Sequence, residues 1–312
     1  MGILRQSRLP QGAWDTHVHV FDSALRSFAP DVAYTPAQAP LSKLVAFNRS
    51  LTQDSLPTNL VLVQPSPYGT DNSVLIKALE SLSAYPHIHA RGIAVVYLRT
   101  ITDEELWALH RAGVRGLRLN KMASNDAHDP QLLIKEITRA AGRIEMLPDW
   151  KPQLFVSGKA WEVIYQHILH LPVLVIADHV GGMMGFSKLG SDASHATQQP
   201  GYLSLVDLVK RRKVIVKISG LYRLSSEATT RHHDLEPAIR ELAKRVPDSL
   251  IYASDWPHTG DGSARTARKP GQIEEFREVD NHTILASLRD RVGDEATWIK
   301  MMATTPAQLF YT

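Results

Sequence analysis

Short apolar runs rich in β-branched residues alternate along the chain with longer stretches of helical periodicity. Most of these runs lack strict polar alternation, as expected for parallel strands that are covered on both faces. Eight alternations predict one α/β domain, a (β/α)8 or TIM barrel that spans residues 1–312. The predicted strands are Trp14–Val20, Leu60–Gln64, Arg91–Tyr97, Val114–Leu119, Pro152–Ser157, Val173–Ala177, Val214–Ile218 and Leu250–Ala253.

The stretches between the strands carry helix boundary signals. The clearest signal is a capping box in which Thr102 stands three residues before Glu105, with Gly113 as the stop. The sequence therefore predicts helices between successive strands. The other predicted helices are Asp71–Leu82, Pro130–Leu147, Lys159–Leu169, Leu203–Arg212, Leu235–Val246, Glu274–Arg291 and Glu295–Leu309.

Three irregular segments are long for loops of an α/β protein: Ser23–Pro40, Gly181–Pro200 and Trp256–Gln272. They follow the first, sixth and eighth predicted strands. Because barrel active sites lie at the carboxyl ends of the strands, this end of the barrel is the predicted site.

Composition narrows the chemistry. The chain has no cysteine, which excludes disulfides, thiolate nucleophiles and zinc–thiolate centres. Its 35 basic and 32 acidic residues leave a charge of +3, too small a surplus to predict nucleic-acid binding. There is no apolar run long enough to span a membrane, and Met1–Gln11 lacks the apolar core of a signal peptide. We expect a cytoplasmic protein that binds no membrane, and the sequence does not predict its oligomeric state.

Titratable residues follow three of the predicted strands. His17 and His19 end the first strand, where the period of two turns both imidazoles to one side about 7 Å apart along the backbone. His179 follows the sixth strand, and Asp255 follows the eighth. Packed histidines and a helix-capping aspartate are the structural alternatives at these positions. Three strands ending in such groups favour a catalytic site.

These motifs carry a family resemblance that spans almost the whole chain. Through His17-x-His19, His179-x-Gly-Gly and Ser254-Asp255-Trp256-Pro257 the sequence resembles the amidohydrolase-2 family of the metal-dependent hydrolase superfamily, which contains decarboxylases and lactonases. More narrowly, it resembles the branch of 2-pyrone-4,6-dicarboxylate lactonase and sugar-lactone enzymes. That narrower resemblance rests on Tyr34-Thr35-Pro36, on residues 64–72, on residues 115–120 and on Lys217-Ile218-Ser219-Gly220.

The resemblance implies metal ligands from the strand-one histidines, from a histidine after strand five and from the strand-eight aspartate. This sequence has no histidine at the end of strand five, so any metal, zinc first among them, would rest on His17, His19 and Asp255 and bind weakly. Lys121 is a poor candidate for a carbamate bridge, because other side chains fill the end of strand four. The lactonase branch is implied to need no cofactor.

A metal-free mechanism suits an activated ester, whose carbonyl needs little polarisation. We expect Asp255 to act as general base on water, with His17, His19 and His179 holding the water and polarising the carbonyl. Arg118 and Arg223 are expected to bind substrate carboxylates, with an ion pair inside the protein and a surface position as their respective alternatives. The resemblance makes Tyr34, Ser66, Tyr68 and Thr70 candidate contacts, although Gly-Thr-Asp-Asn also reads as a helix cap.

The sequence thus predicts a hydrolase that opens a small carboxylated lactone. The alternatives are a zinc-dependent decarboxylase of an aromatic or related acid, a lactone isomerase, and a catalytically inactive barrel that only binds a ligand. Trp256 and His258 are expected to shape the pocket. The remaining notable histidines are expected at the surface: His87, His89, His232 and His233.

Overall fold

A computed structural model describes residues 8–30, 32–52, 56, 58–122, 129–189, 196–229, 231–260 and 272–311. Its centre is a sheet of eight parallel strands in which each strand pairs with the next in chain order. This confirms the predicted barrel. The strands are β1 (Trp14–Val18), β2 (Asn59–Val63), β3 (Ala90–Ala94), β4 (Val114–Asn120), β5 (Lys151–Phe155), β6 (Val175–Ala177), β7 (Val214–Ile218) and β8 (Leu250–Tyr252).

Helices follow the strands and cover the outside of the barrel. The predicted capping box is present, because Thr102 accepts from the backbone of Glu105 and the Glu105 side chain accepts from the backbone of Thr102. The helices are α1 (Leu41–Ser50), α2 (Ser73–Leu82), α3 (Asp103–Arg111), α4 (Pro130–Ile144), α5 (Ala160–His170), α6 (Phe186–Leu189), α7 (Tyr202–Lys210), α8 (Leu221–Leu224), α9 (Glu236–Arg245), α10 (Asn281–Val292), α11 (Glu295–Ile299) and α12 (Thr305–Phe310).

The barrel interior is apolar at one end and polar at the other. Along β7, Val214, Val216 and Ile218 pack outward against the helices, whereas Ile215 packs in a separate cluster inside the barrel and Lys217 is fully buried. The inner apolar cluster closes the amino ends of the strands. It consists of Trp14, Val61, Val63, Ile93, Ile176, Ile215, Ile251, Leu309 and Phe310.

The C-terminal region departs from the predicted helices. Ile273–Glu274 forms a short parallel strand with Thr35–Pro36, so the predicted helix from Glu274 was wrong in its first turns. That helix begins at Asn281 because the Asp280 side chain accepts from the Thr283 backbone. The predicted helix Glu295–Leu309 is divided by a π-helical stretch at residues 300–304.

The prediction for His232 was also wrong. His87, His89 and His233 are exposed as expected, but His232 is only 5% exposed. Its place in the loop after β7 carried no periodic pattern from which burial could be read. Among the described residues, no helix is long and apolar enough to cross a membrane.

Candidate active site

The first and eighth strands close the barrel and bring His17, His19 and Asp255 together. The Asp255 amide donates to the His17 carbonyl over 3.0 Å, and the His19 amide donates to the Trp256 carbonyl over 2.9 Å. The Nε2 atoms of His17 and His19 lie 3.8 Å and 3.9 Å from Oδ1 of Asp255. The predicted convergence of strand ends therefore places two ring nitrogens and one carboxylate oxygen around a common point.

Contacts on the far side of the two imidazoles bear on which ring nitrogen carries the proton. Nδ1 of His19 lies 2.7 Å from the Val63 carbonyl, which can only accept, so this nitrogen carries the proton. Nδ1 of His17 lies 3.4 Å from Oδ1 of Asp178 and 3.5 Å from Nε2 of Gln153, and the charge of the carboxylate favours a proton on Nδ1. Burial lowers the pKa of both imidazoles, so both are neutral near pH 7. With Nδ1 protonated, Nε2 of each ring presents a lone pair, which can accept a proton or bind a metal.

One oxygen of Asp255 is held and the other is left open. Oδ2 accepts from the Tyr222 hydroxyl and from Nε of Arg223, each at 2.6 Å. Oδ1 is buried and has no hydrogen-bond partner among the described residues. Burial alone would raise the pKa of Asp255, but the charge of Arg223 and the neighbouring imidazoles hold it well below its usual value. Asp255 is therefore an oriented carboxylate with its reactive oxygen toward His17 and His19.

His179 adds a third imidazole from the end of β6. Its ring centroid lies 5.0 Å from that of His17, and its Nδ1 lies 2.9 Å from the Ser219 hydroxyl. Burial lowers its pKa to about 3. When Ser219 donates to Nδ1, the Nε2–H of His179 can donate to a substrate oxygen. His179 and Asp255 both have left-handed backbones, with φ of 50° and 61°, a conformation that non-glycine residues adopt mainly at special sites.

A polar layer lies beneath these groups inside the barrel. Nζ of Lys217 donates to Oε1 of Gln153 over 2.6 Å and lies 3.3 Å from Oδ1 of Asp178. Nε2 of Gln153 donates to Oδ2 of Asp178 over 2.9 Å. Burial lowers the pKa of Lys217 to about 8, although Asp178 opposes this shift. These residues connect β5, β6 and β7 directly below His17.

A cavity of about 570 Å³ opens above the histidines at the carboxyl ends of the strands. Arg118, Lys188 and Arg223 contribute cationic side chains to its wall, and no carboxylate lines it among the described residues. Arg118 is 8% exposed, donates to the Gln64 carbonyl over 3.0 Å, and makes no ion pair with a described carboxylate. Its predicted structural alternative, an ion pair inside the protein, is thus not present in the described part of the chain.

Of the four predicted hydroxyl contacts, two line the cavity and two do not. Tyr34 and Ser66 line the cavity, but Thr70 lines a different groove between α2 and α3. Tyr68 is buried, and its hydroxyl accepts from the Asp22 amide over 2.8 Å, so it supports the loop after β1. Thr70 and Tyr68 do not line the cavity; of the predicted catalytic residues, His19 and His179 line it, whereas His17 and Asp255 do not. Lys121, considered above for a carbamate bridge, forms an ion pair in which its Nζ lies 2.6 Å from Oε2 of Glu136.

Trp256 and His258, which were expected to shape the pocket, lie in the loop after β8. Trp256 packs with Phe47 at a ring-centroid distance of 5.9 Å, and His258 lies edge-on to Tyr222 at 5.7 Å. Burial lowers the pKa of His258 to about 4. His258 thus supports the ring of Tyr222, whose hydroxyl donates to Asp255. Residues 261–271 of the loop lie outside the described residues.

The donor set fits a divalent cation. His17, His19 and Asp255 offer ligand atoms that all lie within 4.8 Å of one another, and two of these atoms are buried without partners. Two imidazoles and a carboxylate with an open fourth position are an accepted zinc set. The guanidinium on Oδ2 of Asp255 withdraws part of the negative charge, which favours weak binding.

Sequence reasoning missed Tyr222, Asp178, Gln153 and Lys217 as parts of the site. A lysine in the otherwise apolar β7, Val-Ile-Val-Lys-Ile, was a usable signal, because a buried charge needs a partner. Asp178 stands directly before His179 at a strand end. Gln153 and Tyr222 had no comparable signal in the sequence.

Comparisons with known proteins agree with this geometry. Residues 14–274 match the model of the amidohydrolase family. A 2-pyrone-4,6-dicarboxylate hydrolase of Comamonas testosteroni is 30% identical over 81% of this chain and 79% of its own length. A 4-sulfomuconolactone hydrolase of Rhizobium radiobacter is 30% identical over 97% of this chain and 91% of its own.

Solved structures share the fold. A probable 2-pyrone-4,6-dicarboxylic acid hydrolase of Acinetobacter baumannii with citric acid bound superposes with a TM-score of 0.69 at 22% identity, over 96% of this chain and 100% of that one. An amidohydrolase of Burkholderia multivorans with bound zinc gives 0.64 at 16% identity, over 96% and 99%. The matched length, the parallel barrel and the strand-end histidines and aspartate agree, and the chain belongs to the amidohydrolase family.

Proposed function

We propose that this protein hydrolyses a small lactone that carries more than one carboxylate or similar anionic group. The observation that carries the proposal is the open Oδ1 of Asp255, which faces the Nε2 atoms of His17 and His19 beneath a cationic cavity. The two relatives at 30% identity are lactone hydrolases by name, which supports the same reaction class.

Proton transfer centres on Asp255. A water that donates one hydrogen to Oδ1 and the other to one of the two Nε2 lone pairs would give its proton to Asp255 while its oxygen attacks the lactone carbonyl. The carbon–oxygen bond of the ring then breaks, and the proton passes from Asp255 to the leaving ring oxygen. The low pKa of Asp255 makes it a weak base, which suits an ester with a good leaving group.

The carbonyl is polarised by groups that can donate. The Nε2–H of His179 is a neutral donor beside the reacting atoms and can polarise the carbonyl. Arg118 and the remaining donors of Arg223 would bind the substrate anions as fork-shaped partners. Tyr34 and Ser66 add polar contacts at the rim.

A divalent ion held by His17, His19 and Asp255 would add Lewis-acid polarisation and a lower pKa for water. The roles of Arg118, Arg223 and His179 toward substrate are the same with or without it. The chain's own residues bind the anions and orient the carbonyl in either case.

The test is turnover of a panel of mono- and dicarboxylated lactones by chelator-treated, metal-assayed protein. Ring opening is followed by ultraviolet absorbance and by acid release in a pH-stat. Asp255→Asn removes the base, and Asp207→Asn, a change at an exposed carboxylate on α7, is the matched control. We expect metal-free turnover that Asp255→Asn reduces by orders of magnitude and that Asp207→Asn leaves unchanged.

Other outcomes point elsewhere. Activity that appears only after zinc is restored would mean that the metal is required. Conversion of one lactone to another without acid release would indicate an isomerase, which the 21% identity to a D-galactarolactone isomerase of Agrobacterium fabrum also suggests. Binding without any conversion, retained in Asp255→Asn, would contradict the proposal.

A further inference from the structure

Lys217 lies inside the barrel, directly below the candidate catalytic groups, and is absent from the wall of the substrate cavity. Its ammonium contacts Gln153 and Asp178, and Gln153 in turn donates to the other oxygen of Asp178. The Asp178 carboxylate is thus held from two sides by β5 and β7. Its Oδ1 then faces Nδ1 of His17 at 3.4 Å.

The charge of Asp178 favours the proton on Nδ1 of His17, and it outweighs the neutral amide of Gln153, whose Nε2 lies 3.5 Å from the same nitrogen. An ionised carboxylate can only accept, so an imidazole that faces it presents N–H there and a lone pair on the opposite nitrogen. The opposite nitrogen of His17 is Nε2, which is buried without a partner among the described residues and faces Oδ1 of Asp255. A proton on Nε2 would instead point at that oxygen and close the water position.

We infer that Lys217 is a positioning residue for the hydrolysis proposed above: it holds Asp178 as an oriented carboxylate, which keeps the lone pair of His17 on the reacting side. The inference rests on the proposed function for its catalytic meaning. Its structural content, the tautomer of His17, is independent of any substrate.

The chain contains a matched control for a buried lysine. Lys151, on β5, is 6% exposed, and burial lowers its pKa to about 8, as it does for Lys217. Its ammonium donates to the backbone carbonyls of Asp149 and Leu309 and contacts the ring of Phe310. It therefore lies at the opposite end of the barrel. Lys151→Met removes a buried cation without touching the chain of contacts to His17.

The experiment records long-range ¹H–¹⁵N spectra of metal-free protein labelled at histidine nitrogen, with the His17 signals assigned by their loss in His17→Asn. We expect wild type and Lys151→Met to show the Nδ1–H tautomer of His17. Lys217→Met should show the Nε2–H tautomer or a mixture. Lys217→Gln removes the charge but keeps a polar side chain and should cause a change of the same kind, which covers the case in which Lys217→Met does not fold.

Steady-state kinetics give the second readout. We expect Lys217→Met to lower kcat by about 10- to 100-fold, the size usual for the loss of a partner behind a histidine ligand. KM should change by less than about threefold, because the cavity wall is intact. An Nε2–H tautomer in wild type, or an unchanged His17 in Lys217→Met or Lys217→Gln, would overturn the inference. If no lactone is hydrolysed by wild type, the proposed function fails while the spectra still decide the role of Lys217.

Discussion

Nε of Arg223 donates to Oδ2 of Asp255 over 2.6 Å, and this contact leaves only Oδ1 of the carboxylate facing the imidazoles. The same guanidinium donates to the Thr259 hydroxyl and to the Gly260 carbonyl, so its position is fixed by the loop after β8. A cation placed here selects one reacting oxygen and also keeps the carboxylate ionised. Charge and orientation are supplied by one side chain.

The first prediction concerns the acid limit of activity. Asp255 has a folded pKa well below that of a free aspartate, about 3.9, so it stays ionised at all pH values above about 4. The ion pair contributes stability above that pH, and the contribution is lost as the pH falls through the folded pKa. Arg223→Met removes the largest influence that opposes burial and should raise this pKa. We expect the acid limb of kcat, measured on chelator-treated protein, to move to higher pH than in wild type. An unmoved limb would show that Arg223 does not control the ionisation of Asp255.

The second prediction concerns the other donor to the same oxygen. Tyr222→Phe removes a hydroxyl that donates to a charged group, an interaction worth about 1.5–3 kcal/mol, so we expect kcat to fall about 10- to 100-fold. KM should change little, because Tyr222 is not part of the wall of the substrate cavity. Tyr252→Phe is the control, since the Tyr252 hydroxyl is buried on the outer face of β8 and has no hydrogen-bond partner among the described residues. Equal losses in both variants would indicate a general packing effect.

The barrel was predictable because its parallel strands are largely apolar on both faces, as in residues 60–63, and recur at regular intervals. The errors fell where a local interaction overrides a periodic pattern. Asp280 caps α10 and so moves its start away from Glu274, which pairs in a short strand instead. The π-helical stretch at residues 300–304 has no signature in an amphipathic pattern.

The sequence predicted those site residues that lie at the carboxyl ends of the strands. His17, His19 and Asp255 were expected together because barrel strands present their carboxyl ends on one face, and the structure brings them within 4.8 Å. Proton positions depend on contacts across the barrel that no local pattern contains. The carbonyl of Val63 fixes His19, for example, from another strand.

The third prediction tests the anion-binding wall of the cavity. Arg118→Met removes a buried cation that no described carboxylate pairs with, so a substrate anion bound there loses a charge-assisted hydrogen bond worth about 1.5–3 kcal/mol. We expect KM for a dicarboxylated lactone to rise about 10- to 100-fold and KM for its monocarboxylated analogue to rise much less. Arg115→Met, nearer the start of the same strand, is the control, because Arg115 donates to the carbonyls of His110 and Val114. An equal change of KM for both lactones would show that Arg118 does not bind the second carboxylate.

The fourth prediction uses two glycines with opposite surroundings. Gly220 has φ of +58°, and a Cβ added there would lie 2.6 Å from Nδ1 of His179. Gly142 lies inside α4, and a Cβ added there would meet nothing within 4 Å. The first substitution therefore disturbs the site, whereas the second fills open space on a helix.

Gly220→Ala should lower both stability and activity. The left-handed backbone costs a residue with a Cβ about 1–2 kcal/mol, and the new methyl group must displace the His179 ring from Ser219. Gly220 directly precedes α8, which carries Tyr222 and Arg223, so the two side chains that donate to Asp255 shift with it. We therefore expect kcat to fall by at least about tenfold. Gly142→Ala should instead raise the free energy of unfolding by about 0.5–1 kcal/mol and leave kcat unchanged. Urea denaturation and steady-state kinetics on both variants check the pair, and full activity in Gly220→Ala would mean that the position of His179 has little bearing on the reaction.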